Sequence, residues 1–158
     1  MACIHSARAN DVVEEALRAG HFSSLFPAAA ELWREVKIAE GSRADFFIPV
    51  DVGLYIEVKS VTFHYGDGAG AFPDAVSARV TKHLGELQAA IARGHRAALV
   101  FAVLHAGITR VVPAEDIDPT YAAALRQAIS SGLEVYTLFN DITVDGIYPV
   151  SVHRWDTR

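Results

Sequence analysis

The chain has 158 residues, 51% of them hydrophobic, with 14 Lys and Arg against 19 Asp and Glu, a formal net charge of −5. That length and apolar share suit one globular domain with a sizeable core. The acidic balance counts against strong sequence-independent binding to nucleic acid, which draws its affinity from counterion release, and a single cysteine, Cys3, excludes a disulfide framework and a multi-cysteine zinc site.

The longest apolar run, Ala97 to Leu104, is far short of the roughly 20 residues of a membrane span. The opening MACIHSARAND lacks a signal pattern, so the expected location is the cytoplasm, with no membrane partner. Asn10 or Asp11 is placed to cap a first helix running to about Arg18, with Val13 and Leu17 on one side and Gly20 ending it. Glu14 has the spacing of a capping box with Asp11 and of a helical ion pair with Arg18. Glu15 has no such local partner. Phe22 to Trp33 reads as a short helix or turn interrupted at Pro27, followed by a strand over about Glu35 to Ala39. Glu35 either reaches a site or pairs with Arg34 or Lys37.

The chemistry concentrates in ADFFIPVDVGLYIEVKSV, residues 44–61. Ala44 to Val50 and Leu54 to Val61 predict two strands of a hairpin about Asp51-Val52-Gly53. With Val50 facing Leu54, Asp45 lies opposite Lys59 and Phe47 opposite Glu57. Alternation then places these four on one face, and Phe46, Ile48, Ile56 and Val58 in the core on the other. Two carboxylates a few ångströms apart repel by about 4 kcal/mol at a protein-like dielectric, a strain that a divalent cation removes. Mg²⁺ takes one or two carboxylates with waters and phosphate oxygens, which suits this set better than a cage of His or Cys. Lys59 would orient an attacking water or stabilise charge on a phosphate. Ordinary cross-strand ion pairs account for the same residues, so spacing alone leaves both readings open. Arg43, beside them, is suited equally to a phosphate or to a neighbouring acid.

Residues 60–74 form a glycine-rich segment without the Gly-Lys-Ser/Thr ending of a phosphate loop. It is expected to be a mobile flap or plain disorder, with His64 and Tyr65 available to stack a base. Asp74 is placed to cap a helix over Ala75 to Ala92, with Val76, Val80, Leu84, Leu87 and Ile91 as its buried stripe. Arg79, Lys82, His83 and Glu86 share its other side, either as a solvated face or as contacts to phosphates. Arg96 to His105 predicts a strand buried on both faces. Asp118-Pro119 starts a helix ending at Gly132, and Glu115 and Asp116 before it read as solvated. Leu133 to Phe139 predicts a parallel neighbour of the buried strand, and Asp145-Gly146 turns a last hairpin whose arm with Pro149 suits an edge.

Six blocks, SRADF (42–46), YIEVKSVT (55–62), FPDAV (72–76), KHLGEL (82–87), FAVLHAGITR (101–110) and IDPTYAAAL (117–125), closely resemble, in this order, the sugar fermentation stimulation protein family. That family looks like a member of the PD-(D/E)xK nuclease superfamily. The resemblance implies an α/β, restriction-endonuclease-like fold, a central mixed β-sheet of about five strands flanked by helices. It implies Mg²⁺- or Mn²⁺-dependent hydrolysis of phosphodiester bonds in DNA or RNA. Asp45, Glu57 and the Val58 carbonyl would hold the metal, Glu15 would add an acid from the first helix, and Lys59 would be the catalytic lysine. Arg43, Arg79, Lys82 and His83 would contact the nucleic-acid backbone. Family members usually carry an OB-like domain ahead of this part, so the expectation here is a single nuclease-like domain over 1–158. It would act as a homo-oligomer or with a nucleic-acid-binding partner in trans. The alternative is a non-catalytic nucleic-acid-binding or regulatory protein linked to sugar metabolism.

Overall fold

A stretch apolar on both faces must be covered on both, and the run 96–103 sets the layers of this molecule. The computed structural model describes residues 1–3, 5, 7–25, 27 and 31–155. In chain order these form α1 (Ala7–Arg18), β1 (Trp33–Ala39), β2 (Ser42–Ile48), β3 (Leu54–Val61), β4 (Phe63–Gly66) and β5 (Ala69–Phe72). There follow α2 (Ala78–Ala92), β6 (Arg96–Val103), β7 (Arg110–Pro113), α3 (Pro119–Ser130), β8 (Glu134–Ile142) and β9 (Ile147–Arg154). The expected turn about Pro27 falls partly on residues 26 and 28–30, which lie outside the described residues.

The main sheet has six strands in the order β1-β2-β3-β6-β8-β9, and β4-β5-β7 make a second, smaller sheet. Strand β6 runs parallel to β3 and β8, as expected, and the outer pairs are antiparallel. Ala98, Val100 and Ala102 of β6 pack with Val12, Val13, Ala16 and Leu17 of α1. On the other face Ala97, Leu99, Phe101 and Val103 pack with Leu84, Leu87 and Ala90 of α2 and Tyr121, Leu125 and Ala128 of α3. This is the mixed sheet with helices on both faces, with β9 bringing the strands to six rather than about five. No described helix is long and apolar enough to cross a membrane.

Four local expectations are corrected. The β2–β3 register is Phe46↔Ile56, Phe47↔Tyr55 and Ile48↔Leu54, two residues away from the expected pairing, although Phe46, Ile48, Ile56 and Val58 keep the core face expected of them. Pro49 has no N–H for the ladder, so the strand stops at Ile48 and the turn widens. Asp51 and Gly53 take left-handed φ values of 47° and 80°, and a Cβ on Gly53 would lie 2.6 Å from the Phe47 ring. Helix α1 begins at Ala7, which puts Asn10 and Asp11 inside it rather than at its cap. Helix α2 begins at Ala78 with Ser77 as N-cap; Asp74 is exposed, and Val76, expected in the buried stripe, is 74% exposed. The glycine-rich segment is a hairpin, β4–β5, whose second strand pairs with β7. Its Gly70 lies where a Cβ would come within 2.6 Å of Ile108, so the small residue serves packing. His64 stacks against His105, ring centroids 4.9 Å apart, and the Tyr65 hydroxyl donates to Asp116.

Asp118 is the N-cap of α3, as expected, and it does more. Only 3% exposed, it accepts from Tyr121 N at 3.0 Å with Oδ1 and from Ser77 N at 3.3 Å with Oδ2. One buried carboxylate thus satisfies free N–H groups at the starts of both α3 and α2. Asp118→Ala is expected to lower the unfolding free energy by about 2 kcal/mol, the upper end for a cap, measured by urea denaturation. A change below about 0.5 kcal/mol would show that neither bond matters to stability.

Candidate active site

The site forms where β2 leaves β3. Their register ends at Phe46↔Ile56, and beyond it the N–H of Val58 is taken by a side chain, Asp45 Oδ2 at 2.7 Å. The N–H and C=O of a strand residue point to the same edge, so the Val58 carbonyl is directed to the same gap. The other Asp45 oxygen, Oδ1, accepts from Asn10 Nδ2 of α1 at 2.9 Å. On the β1 side the ladder runs Arg34↔Phe46 and Val36↔Ala44. Glu35, across from Asp45, has a left-handed φ of 52°.

Glu57 stands beside this gap, 6% exposed. Its Oε1 accepts from Lys59 Nζ at 2.7 Å and lies 2.9 Å from His83 Nδ1 on α2; Nζ and Nδ1 are 3.3 Å apart. Glu57 Oε2 has no donor among the described residues. Burial pushes the Asp45 carboxyl above its ordinary value, the charge on Glu57 adds to this, and the bonds from Val58 and Asn10 offset only part. Burial pushes Glu57 the same way, but the His83 bond and then the Lys59 ammonium outweigh it and hold this carboxyl below its ordinary value. One acid is therefore neutralised by its neighbours and the other is not.

These residues line an open groove of about 1180 Å³ between α2 and the β1–β2 hairpin. Lys37, Arg43, Lys59, Arg79 and Lys82 face it against the carboxylates of Glu35, Glu40, Asp45 and Glu57, so its wall is more basic than the chain as a whole. Lys37 pairs with Glu40 at 2.9 Å and Lys82 with Glu86 at 3.7 Å. Arg43 and Arg79 make no ion pair among the described residues, so two guanidinium groups on the groove lack an acidic partner there.

A family model described as the sugar fermentation stimulation protein RE domain matches residues 7–146. The chain belongs to the sugar fermentation stimulation protein family. A homolog from Saccharophagus degradans is 47% identical over 148 residues, covering 92% of this chain and 63% of the relative. One from Pseudomonas aeruginosa (strain LESB58) is 46% identical over 151 residues, covering 94% and 64%. The structure of Pyrococcus furiosus SfsA in complex with Ca²⁺ superimposes with a TM-score of 0.77 at 24% identity, over 95% of this chain and 65% of that one. The chain spans a little under two thirds of the length of these relatives, and its fold is the restriction-endonuclease-like α/β fold of the family.

Of the residues singled out in the sequence, Asp45, Glu57, Val58, Lys59, Arg43, Arg79, Lys82 and His83 all meet at the groove. Glu15 does not: it is exposed on α1 and outside the groove lining. The helix contributes Asn10 instead. Because α1 starts before Asn10, the residue that looked like a cap has its amide turned to Asp45. Glu14 bonds Arg18 at 3.0 Å, as its spacing indicated, and also pairs with Arg34 at 3.1 Å. Glu35 lines the groove without either expected partner, since Arg34 goes to Asp11 and Glu14, and Lys37 to Glu40.

Among the described residues no three His, Cys, Asp or Glu side chains cluster at metal-ligand spacing. The donor set is two carboxylates and a backbone carbonyl, all hard oxygens, which fits a cation that keeps much of its water. The Asp45 carboxyl is raised first by burial and then by the charge on Glu57, so the two acids share a desolvated place. Asn10 favours the charged form of Asp45, so Asn10→Ala is expected to raise the Asp45 titration midpoint further, read from its side-chain ¹³C carboxyl resonance. An unchanged or lower midpoint would remove Asn10 from the site.

Proposed function

We propose that the chain is a metal-dependent nuclease domain that hydrolyses phosphodiester bonds in DNA or RNA with Mg²⁺ or Mn²⁺. The observation that carries this reading is the convergence of Asp45, Glu57 and Lys59 on one groove wall that also bears the unpaired Arg43 and Arg79. Asp45, Glu57 and the Val58 carbonyl would hold the cation. When bound, a hard dication supplies Lewis-acid stabilisation of charge on phosphoryl oxygens. The Ca²⁺ in the Pyrococcus furiosus relative supports a divalent, oxygen-coordinated ion.

The chain's own groups have separable tasks. Asn10 and the Val58 N–H fix the direction of Asp45, each leaving its oxygen a second lone pair. Glu57 keeps Oε2 for coordination while Oε1 is held by Lys59. Lys59 lines the groove, where its ammonium would orient the attacking water and stabilise charge that develops in the transition state. Arg43, Arg79 and Lys82 would position the phosphates on either side.

A second reading, a non-catalytic nucleic-acid-binding or regulatory protein, is favoured by the family's description as stimulating sugar fermentation. Labelled single- and double-stranded DNA and RNA, incubated with Mg²⁺, Mn²⁺ or EDTA, separate the two. Cleavage that EDTA stops is expected, and binding that survives EDTA with no product would favour the second. Lys59→Ala and Asp45→Asn are each expected to reduce cleavage by about 10²-fold or more with unchanged circular dichroism. Undiminished cleavage by both variants would reject the nuclease assignment.

A further inference from the structure

His83 lies on the groove wall beside Arg79 and Lys82, and its position in the helix suggests a fourth contact to phosphate. Its Nδ1 has a different partner. Nδ1 is 2.9 Å from Glu57 Oε1, closer than its 3.3 Å approach to Lys59 Nζ. An unprotonated Nδ1 would set its lone pair against those of a carboxylate oxygen, so Nδ1 carries the proton and donates it to Glu57. The same oxygen already holds the Lys59 ammonium at 2.7 Å. The nitrogen that faces the acidic cluster is therefore committed to Glu57.

We propose that His83 is a positioning residue for Glu57, its Nδ1–H fixing the direction of the carboxylate. Partners that orient a ligand's carboxylate are part of a metal site's affinity. The supporting element is rigid, since Leu84 and Leu87 are buried on the sheet and Asp118 holds the helix start through Ser77 N. Lys59 and His83 thus divide the work on one oxygen, the first supplying charge and the second direction. This inference rests on the proposed metal site for its consequence, but the tautomer can be read without any metal.

Two measurements test it on the intact chain. In the metal-free protein, the imidazole ¹⁵N resonances of His83, identified by their loss in His83→Asn, are expected to show the proton on Nδ1; a proton on Nε2 alone overturns the proposal. Mn²⁺ affinity, read by electron paramagnetic resonance, is then compared in His83→Asn, whose amide nitrogen replaces Nδ1, and His83→Gln, whose amide nitrogen reaches the place of Nε2. The Asn variant is expected to bind Mn²⁺ nearly as wild type does, and the Gln variant about 10-fold more weakly or worse, with both folded by thermal denaturation. Equal affinities in the two variants, or the reverse order, overturn it. Absence of Mn²⁺ binding by the wild-type chain would instead reject the proposed function, and the tautomer alone would then decide the role of His83.

Discussion

The candidate site depends on one substitution of hydrogen-bonding partner: the N–H of Val58 is satisfied by a side chain, Asp45, where a neighbouring strand's carbonyl would ordinarily serve. A buried N–H left alone would cost about 1–3 kcal/mol, so without such an acceptor β2 would have to stay zipped to β3. With it, the two strands part after Phe46↔Ile56, the edge of β3 opens to solvent, and a groove exists. Asp45 is thus needed by the backbone before it is available to any ligand. Asn10, reaching from the helix on the far side of the sheet, ties that opening to the α1 core.

The two acids that meet in the groove are unlike in state. Glu57 is balanced by Lys59 and His83, whereas Asp45 has only neutral donors around it and feels the negative charge of Glu57. Such a pair holds its positions because each carboxylate is anchored by a separate part of the fold, one by α1 and β3, the other by α2 and its own strand. The asymmetry also separates this site from a set of surface ion pairs, in which every acid would have its own cation.

Much of this was legible in the residues. Period-two alternation placed Phe46, Ile48, Ile56 and Val58 in the core, and that held although the register was wrong, because the error was two residues and parity survives an even shift. The source of the error was Pro49, which reads as an acceptable strand residue but ends the ladder. The long apolar run named the central strand, and Asp118-Pro119 named a helix start. What could not be read were contacts between distant segments. Asn10 looked like a cap because nothing in its neighbourhood shows Asp45, 35 residues on. The approach of His83 to Glu57 was equally hidden, because its helix face gives no sign of a carboxylate on a strand 26 residues earlier. The glycines of residues 66–70 resembled a flap, since the strand that β5 pairs with, β7, comes some 40 residues later.

The outer strands of the main sheet carry a different consequence. On one side Glu35 interrupts β1 with a left-handed residue and the register slips between Lys37 and Ala39; on the other, β9 contains Pro149 beside a slip at Phe139/Asn140. Neither margin offers the flat, regular row of donors and acceptors that would let two sheets fuse edge to edge. Assembly of copies by pairing along the main sheet's margins is thereby disfavoured, which leaves its side-chain surfaces and the smaller sheet for any such contact.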